Sequence, residues 1–313
     1  MKIQINSEFA SEIVLAVPYA YWLHMNGNLE SVTTSIGMKP FYYFCDNVKE
    51  EFQSRTVNNS LAGLTQLPND WIHHNAKVVT GTDYGKLSEH EQAAVNGVLD
   101  YSQWTAPQYE KIYNDYEFKE LGKKYIVVNN NYNIEYGRDI SKSKRYFNIE
   151  SLYHIFNILT DKGYTIVYKR PDNTEFTIDE NEQSTLHQGL TLTADVDQLG
   201  EISDYDLCDH YTNVIKLQDL SSKYDYEYNE LQLRINSNAS GFITPNGGGG
   251  ILCGYFSTPI VMHVTAGKEL RPNYLTNKNS YFGKLSNNIL HPVIDEDNQS
   301  NYKKLLNKIK DIF

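Results

Sequence analysis

Apolar residues in this chain fall into short continuous runs divided by polar stretches, with helical spacing between several of them. Met1 to Asn6 alternates and reads as a first strand. Ser7 is placed to cap a helix from about Glu8 to Met25, where Phe9, Ile13, Ala16, Ala20 and Leu23 share one face and Asn26-Gly27 ends the run. Ser31 to Ile36 and Phe41 to Cys45 read as two further strands, the second followed by a helix over Asp46 to Phe52. This opening predicts an α/β domain. Ala76 to Thr80 reads as a strand, and Ser88 caps a helix to about Tyr101, supported by Glu91. Tyr109 to Gly122 has no clear period and reads as the connection between domains.

The second half begins with a buried strand, Tyr125 to Asn129. Asn148 caps a helix through Leu159, with Gly163 past its end, and Tyr164 to Tyr168 is the next strand. Continuous apolar strands around a helix predict a parallel sheet covered on both faces. Asn173 to Tyr211 reads as acidic and irregular, Val214 to Leu217 as a strand and Tyr226 to Ser237 as a helix. Asn301 to Phe313 is an amphipathic helix of the kind that packs back across a domain boundary.

Between these elements lies the stretch that suggests chemistry. Phe242 to Thr244 reads as a strand, Gly247 to Gly250 as a glycine turn, Ile251 to Phe256 as a helix and Pro259 to Val264 as a strand. Residues without side chains let a ligand approach the backbone closely, and the amides ahead of a helix suit an anion such as a pyrophosphate. A flexible polar loop is the plainer alternative; the flanking strand and helix favour phosphate binding. Asn129 to Asn133, Lys169-Arg170 and Asn246 also sit at strand ends, where open parallel sheets bind ligands. Arg170 has a planar fork suited to a pyrophosphate, whereas Lys169 suits a strand-end ion pair to a nearby acid.

Composition narrows the function. At 313 residues the chain suits two domains. A formal net charge of -11 makes nucleic acid an unfavourable partner, because Lys and Arg contacts to phosphate dominate that affinity. The basic runs at Lys142 to Arg145 and in the C-terminal lysines read as solvated faces. Twenty-five tyrosines suit clefts that hold sugars, though ordinary packing accounts for most of them. Cys45, Cys208 and Cys253 are odd in number and widely spaced, which supports buried thiols and a reducing compartment rather than disulfides or zinc. No apolar run reaches the length of a membrane span, and Glu8 and Glu12 argue against a signal segment at Leu15 to Leu23, so a soluble, cytoplasmic protein is expected.

The runs Asn130 to Tyr136, Phe147 to Leu159 and Val167 to Pro171, with Tyr228 to Leu233, the glycine turn and Tyr255 to Val261, resemble the nucleotide half of a GT-B glycosyltransferase. The likeness spans roughly Trp104 to Tyr274, and these elements resemble a little-described group of GT-B enzymes and, distantly, the fucosyltransferase-like branch. The histidine–arginine signature of that branch is missing after Tyr125 to Val128, where asparagines stand. The resemblance implies two Rossmann-like domains with parallel sheets facing a central cleft: 1–122 on the acceptor side, 123–298 holding a nucleotide sugar, and 299–313 as a C-terminal helix that could cross back to the first domain.

It further implies that Gly247, Gly248, Gly249 and Gly250 cradle the donor diphosphate with Asn246, that Arg170 offsets its charge, that Asn130 and Tyr132 face the cleft, and that Glu269 bonds ribose or donor hydroxyls. The expected partners are a nucleoside-diphosphate sugar and a sugar or glycan acceptor. Asp83, His24, His73 and His74 are open to nomination as general base, each alone being more often structural or merely exposed. Asp195/Asp197, Asp204/Asp206 and Asp295/Asp297 imitate metal-binding carboxylate pairs, but acidic residues are common here and no cofactor or essential metal is expected. Other readings are a non-catalytic GT-B relic that binds nucleotide or carbohydrate, and a nucleotide-sugar epimerase; DNA glucosylation is disfavoured by the acidic charge.

Overall fold

The computed structural model describes residues 1–53, 55, 65, 101–115, 118–130, 145–170, 193–196, 199–265, 268–270, 274–278, 280–285, 289–295 and 302–313. Two parallel sheets organise them. The first has three strands, β1 (Lys2–Gln4), β2 (Ser31–Ser35) and β3 (Val48–Phe52), in the order β1-β2-β3.

Between β1 and β2 runs α1, made of an α-helical turn Phe9–Ser11, a π-helical segment Glu12–Ala16 and an α-helix Val17–Met25. Pro18 explains why the regular ladder yields here: it has no N–H to give Val14 four residues back. The indole Nε1 of Trp104 donates to the Val14 carbonyl instead, at 2.7 Å. The wider π register sends the Val17 N–H to Glu12, and the freed Ile13 carbonyl accepts from the Tyr255 hydroxyl of the second unit. Ser7 does not cap this helix: Glu8 stands at the N-cap, without a side-chain bond.

Two expectations for the first unit are corrected. Phe41 to Cys45 is not a strand; Pro40 starts a 3₁₀ turn, Lys39–Tyr42, that buries Phe41 and Tyr42. Asp46 to Phe52 is not a helix but holds β3, where Val48, Glu50 and Phe52 alternate with the more exposed Lys49 and Glu51. Pairing with β2 outweighs the acidic helix-start signal. The connection contains a short helix, α2 (Tyr109–Tyr113). The strand expected at Ala76 to Thr80 and the helix to Tyr101 start outside the described residues.

The second sheet holds β4 (Tyr125–Asn129), β5 (Thr165–Lys169), β8 (Val214–Lys216), β9 (Gly241–Pro245), β10 (Ile260–Val264) and β11 (Leu290–Ile294), all parallel, in the order β11-β10-β9-β4-β5-β8. Chain order therefore reverses between β4 and β9, the arrangement of a doubly wound nucleotide-binding sheet. Helix α3 (Ile149–Asp161) is capped as expected, Asn148 Oδ1 accepting from Ser151 N at 2.8 Å, and Gly163 follows at φ +77°. Asn173 to Tyr211 is less irregular than expected: its described part forms the antiparallel hairpin β6 (Thr193–Val196) and β7 (Gly200–Ser203), then α4 (Asp204–Asp209) behind a Ser203–Asp206 capping box. Helices α5 (Leu217–Lys223), α6 (Tyr228–Asn238), α7 (Gly248–Cys253), α8 (Tyr281–Leu285) and α9 (Lys303–Ile312) complete the α-helices of the described residues.

Alternation along the strands divides the core. Val127, Val167, Phe242, Ile260 and Met262 face α6, α7 and α1, in a cluster that continues into the first unit. Ile126, Val128, Ile166, Tyr168, Ile243 and Val261 face α3 and α9. Helix α9 thus packs on its own sheet, burying Leu305 and Ile309.

Candidate functional site

The switch point between β4 and β9 is where the two halves of the second sheet diverge, and Asn129 and Asn246 stand at its rim. Gly247 takes φ +141°, a backbone state that L side chains rarely adopt. Helix α7 begins at Gly248, so three of the four glycines form its first turn; the expected start at Ile251 is corrected. A side chain at Gly250 would meet Met262 Cε at 2.9 Å, and one at Gly248 would press on Phe9 Cδ1 of α1 at 3.2 Å. At Gly249 nothing lies closer than Asn129 Cγ at 3.9 Å, so packing gives no reason for its missing side chain. Gly247, Gly248 and Gly249 are half-buried rather than turned into the core.

Strand alternation sorts the polar residues beside this turn. Asn129 lies on the α7 side, donating through Nδ2 to Cys253 Sγ at 3.1 Å, while its Oδ1 is buried with no hydrogen-bond partner. Cys253 Sγ in turn donates to the Gly249 carbonyl at 3.2 Å. Lys169, the register partner of Asn129, is buried on the same side and donates from Nζ to Gln232 Oε1 at 3.0 Å. Desolvation pushes the Lys169 amine down to about 8 and the Cys253 thiol up to about 11.

Asn130 and Arg170, the residues picked from the sequence, take the opposite face. Asn130 Nδ2 donates to the Phe147 carbonyl at 3.0 Å and to the Tyr168 hydroxyl at 3.1 Å, and its Oδ1 accepts from Phe147 N. Arg170 is 2% exposed, bonds Asp204 Oδ2 through Nε at 2.6 Å and lies over the Tyr205 ring at 4.3 Å. Tyr168 donates to the same carboxylate oxygen at 2.6 Å. The strand-end ion pair expected for Lys169 is thus formed by Arg170.

The remaining candidates are dispersed. Buried Glu269 lies 3.6 Å from Arg145 Nη2, which also takes Arg145 out of the solvated basic run expected for it. Asn246 is buried and its N–H donates to the His263 carbonyl at 3.0 Å. His24 is exposed at the end of α1, its ring stacked on Tyr21. Tyr132, Asp83, His73 and His74 lie outside the described residues. Of the imitated metal pairs, Asp204 is tied to Arg170, Asp206 caps α4 and Asp295 faces His263 and Lys304; Asp197 and Asp297 are not described. Among the described residues no group of three His, Cys, Asp or Glu is placed to hold a metal ion. Cys208 and Cys253 are buried free thiols, whereas Cys45 is only half-buried.

Sequence reasoning passed over Glu12. It is fully buried in the π-helical segment, the one buried carboxylate among the described residues of the first unit. Its Oε1 accepts from the hydroxyls of Thr34 and Tyr42, the latter at 2.9 Å, and its Oε2 pairs with Arg55 Nη1 at 2.8 Å. A π segment inside a helix often marks a functional position, and Pro18 is the local signal for it.

No protein-family model matches the chain, and a search of curated proteins finds no match. Solved structures do resemble it. The E. coli heptosyltransferase WaaC with ADP superposes with a TM-score of 0.50 at 10% identity, over 99% of this chain and 98% of that one. The E. coli ADP-heptose lps heptosyltransferase II gives a TM-score of 0.49 at 8% identity, over 93% of this chain and 89% of that one. These are heptosyltransferases, not fucosyltransferases. At such identity the likeness concerns the fold, which is α/β of GT-B type with two Rossmann-like parallel-sheet units. Among the described residues no helix is long and apolar enough to cross a membrane.

Proposed function

We propose that the chain is a glycosyltransferase that moves a sugar from a nucleoside-diphosphate sugar to a sugar or glycan acceptor. The observation that carries this reading is the switch point itself. A half-exposed glycine turn follows β9, and beside it Asn129 keeps a buried oxygen with no protein partner. Open parallel sheets bind nucleotides at this location, and the fold likeness to a heptosyltransferase solved with ADP agrees with that analogy. The turn Asn246 to Gly249 would seat the donor diphosphate, whose charge grows as the glycosidic bond breaks. In this reading the first unit supplies the acceptor side, the hexosyl or deoxyhexosyl group departs without a bound metal, and the protein works in the cytoplasm.

A thermal-shift screen against ADP, UDP, GDP, CDP and their sugars tests donor binding. A ligand at a hundred times its Kd stabilises by about 2.7 kcal/mol, enough to sort the bases. Turnover is then measured as acceptor-dependent release of the nucleoside diphosphate, with and without EDTA. If the folded protein responds to no nucleotide, the reading is wrong; if EDTA abolishes turnover, transfer requires a metal.

One observation favours a second reading, a nucleotide-binding relic without transfer. The only buried carboxylate described in the first unit, Glu12, is already engaged by Arg55, Thr34 and Tyr42. Nucleotide binding with no turnover for any acceptor would support that alternative. Product formation without acceptor, on the same nucleotide, would point to epimerisation instead.

A further inference from the structure

Among the described residues Lys169 is a buried cation without a counter-charge. The residue is 4% exposed, and among the described residues its amine donates to the neutral Gln232 Oε1 and no carboxylate lies within ion-pair distance. Burying a charge without a partner is unfavourable, so a position of this kind calls for a partner that the described residues do not provide. By contrast Arg170, next in the chain, is neutralised by Asp204 on the other face of the sheet. The two cations are therefore not equivalent, although they are adjacent in sequence.

The surroundings of Lys169 are those of a ligand's negative end. Asn129 faces it in register from β4 and holds the unpartnered Oδ1. Cys253, from α7, is the titratable group set against the amine; β4 and α6 contribute the neutral Asn129 and Gln232. With the amine at about 8 and the thiol at about 11, at neutral pH the amine is charged and the thiol is not. On the turn, a side chain at Gly249 would meet nothing closer than Asn129 Cγ, at 3.9 Å.

We propose that Lys169 is the cation that meets the donor's diphosphate at the switch point, with Asn129 Oδ1 accepting from a hydroxyl of the same ligand. A directed hydrogen-bond chain positions the amine. Lys169 Nζ donates to Gln232 Oε1, Gln232 Nε2 donates to Asn229 Oδ1, and Asn229 Nδ2 donates to the Gly37 carbonyl at 2.6 Å. Each donor points away from Lys169, so Gln232 is held with its oxygen toward the amine. Gly37, at φ +82°, belongs to the turn after β2, so the first unit anchors a cation of the second. Gln232 and Asn229 are positioning residues in this scheme.

The proposal rests on the donor-binding reading above, and one set of titrations separates their failures. Inorganic pyrophosphate, ADP, UDP, GDP and CDP are titrated calorimetrically into the wild type, Lys169→Met and Gln232→Glu at fixed low salt. The wild type should bind at least one nucleoside diphosphate, and Lys169→Met should weaken it tenfold or more. Wild-type affinity should also fall between pH 7 and 9.5, as the amine loses its proton, more steeply than that of Lys169→Met. Gln232→Glu gives the amine an internal counter-charge and should weaken binding several-fold while keeping the lysine, which preserves the test should Lys169→Met fail to fold. Equal affinity and equal pH dependence in all three proteins would overturn the role of Lys169 and leave donor binding standing. Absence of binding to the folded wild type would overturn both.

Discussion

The ring of Phe313 fills the space that a side chain at Gly241 would need. A Cβ on Gly241 would come within 2.7 Å of Phe313 Cζ and 2.9 Å of the Pro259 carbonyl, and the same ring meets Tyr164 edge-on at 6.2 Å. This contact fastens α9 over the start of β9. Truncating a large apolar ring costs about 3–5 kcal/mol in a full core, so half-buried Phe313→Ala should cost about 2 kcal/mol in urea unfolding. Gly241→Ala should be as damaging in the wild type but less so in the Phe313→Ala background, where only the Pro259 carbonyl still resists. Strict additivity of the two changes would mean the ring and the glycine are independent.

Trp104 compensates for Pro18. Its indole is the donor to the Val14 carbonyl that proline cannot supply. Trp104→Phe keeps most of the ring but leaves that carbonyl unpaired, at a cost of about 1–3 kcal/mol. Pro18→Ala restores a backbone N–H in α1 and should therefore recover part of the loss in the double variant. A double variant no more stable than Trp104→Phe would show that the π register excludes the restored N–H from Val14.

Five of the six strands of the second sheet and the place of the glycine turn were legible in the sequence because continuous apolar runs and a capped helix are local signals; β11 was not, since His291 and Pro292 interrupt its apolar run. Asn148 and Gly163 bound α3 in the structure as they do in the sequence. The choice between Lys169 and Arg170, and between Asn129 and Asn130, was not legible in the same way. Strand alternation says that neighbours face opposite sides, but only the packing of α7 says which side carries the glycines. Glu12 was hidden for a similar reason. Within α1 it looks like a polar position among apolar ones, and its partners Thr34, Tyr42 and Arg55 stand 22, 30 and 43 residues away. The strand at Val48–Phe52 was misread because an acidic run resembles a helix start until its pairing with β2 is seen.

Arg170 and Asp204 should behave as a structural pair. Removing one partner of a buried ion pair costs about 3–5 kcal/mol, because the other charge is stranded. Arg170→Ala is therefore expected to lower the unfolding free energy by about that much, and Arg170→Ala with Asp204→Ala to lower it by less. In contrast to Lys169→Met, Arg170→Met in protein that remains folded should change pyrophosphate affinity less than threefold. A tenfold loss would place Arg170 at the ligand after all.

Glu12 offers a comparable test in the first unit. Glu12→Gln keeps the shape but leaves Arg55 Nη1 without its carboxylate, so stability should fall by about 3 kcal/mol. If Glu12 serves only to pin α1 to β2 and Arg55, nucleotide affinity in the folded variant should match the wild type. A loss of acceptor-dependent turnover at conserved nucleotide affinity would instead give Glu12 a part in the transfer step.

His263 sets an acid limit on stability. Its ring is buried between Phe147 and Tyr302, with Nε2 3.5 Å from Asp295 Oδ2 and Lys304 on the far side of that carboxylate. Burial lowers its pKa from the ordinary 6.5 to about 4, outweighing the pull of Asp295 in the opposite direction. Between those values the unfolded chain holds a proton that the folded chain does not, so unfolding free energy rises with pH from 4 to 6.5. The window corresponds to about 3 kcal/mol, absent as a penalty above pH 6.5 and present in full below pH 4. His263→Gln carries no titrating ring and should flatten this part of the profile, whatever its own stability at pH 7. Urea midpoints for both proteins at half-unit steps from pH 4 to 7 measure the difference. Parallel profiles would mean that another group governs the acid limb and that the Asp295 contact keeps His263 protonated in the fold.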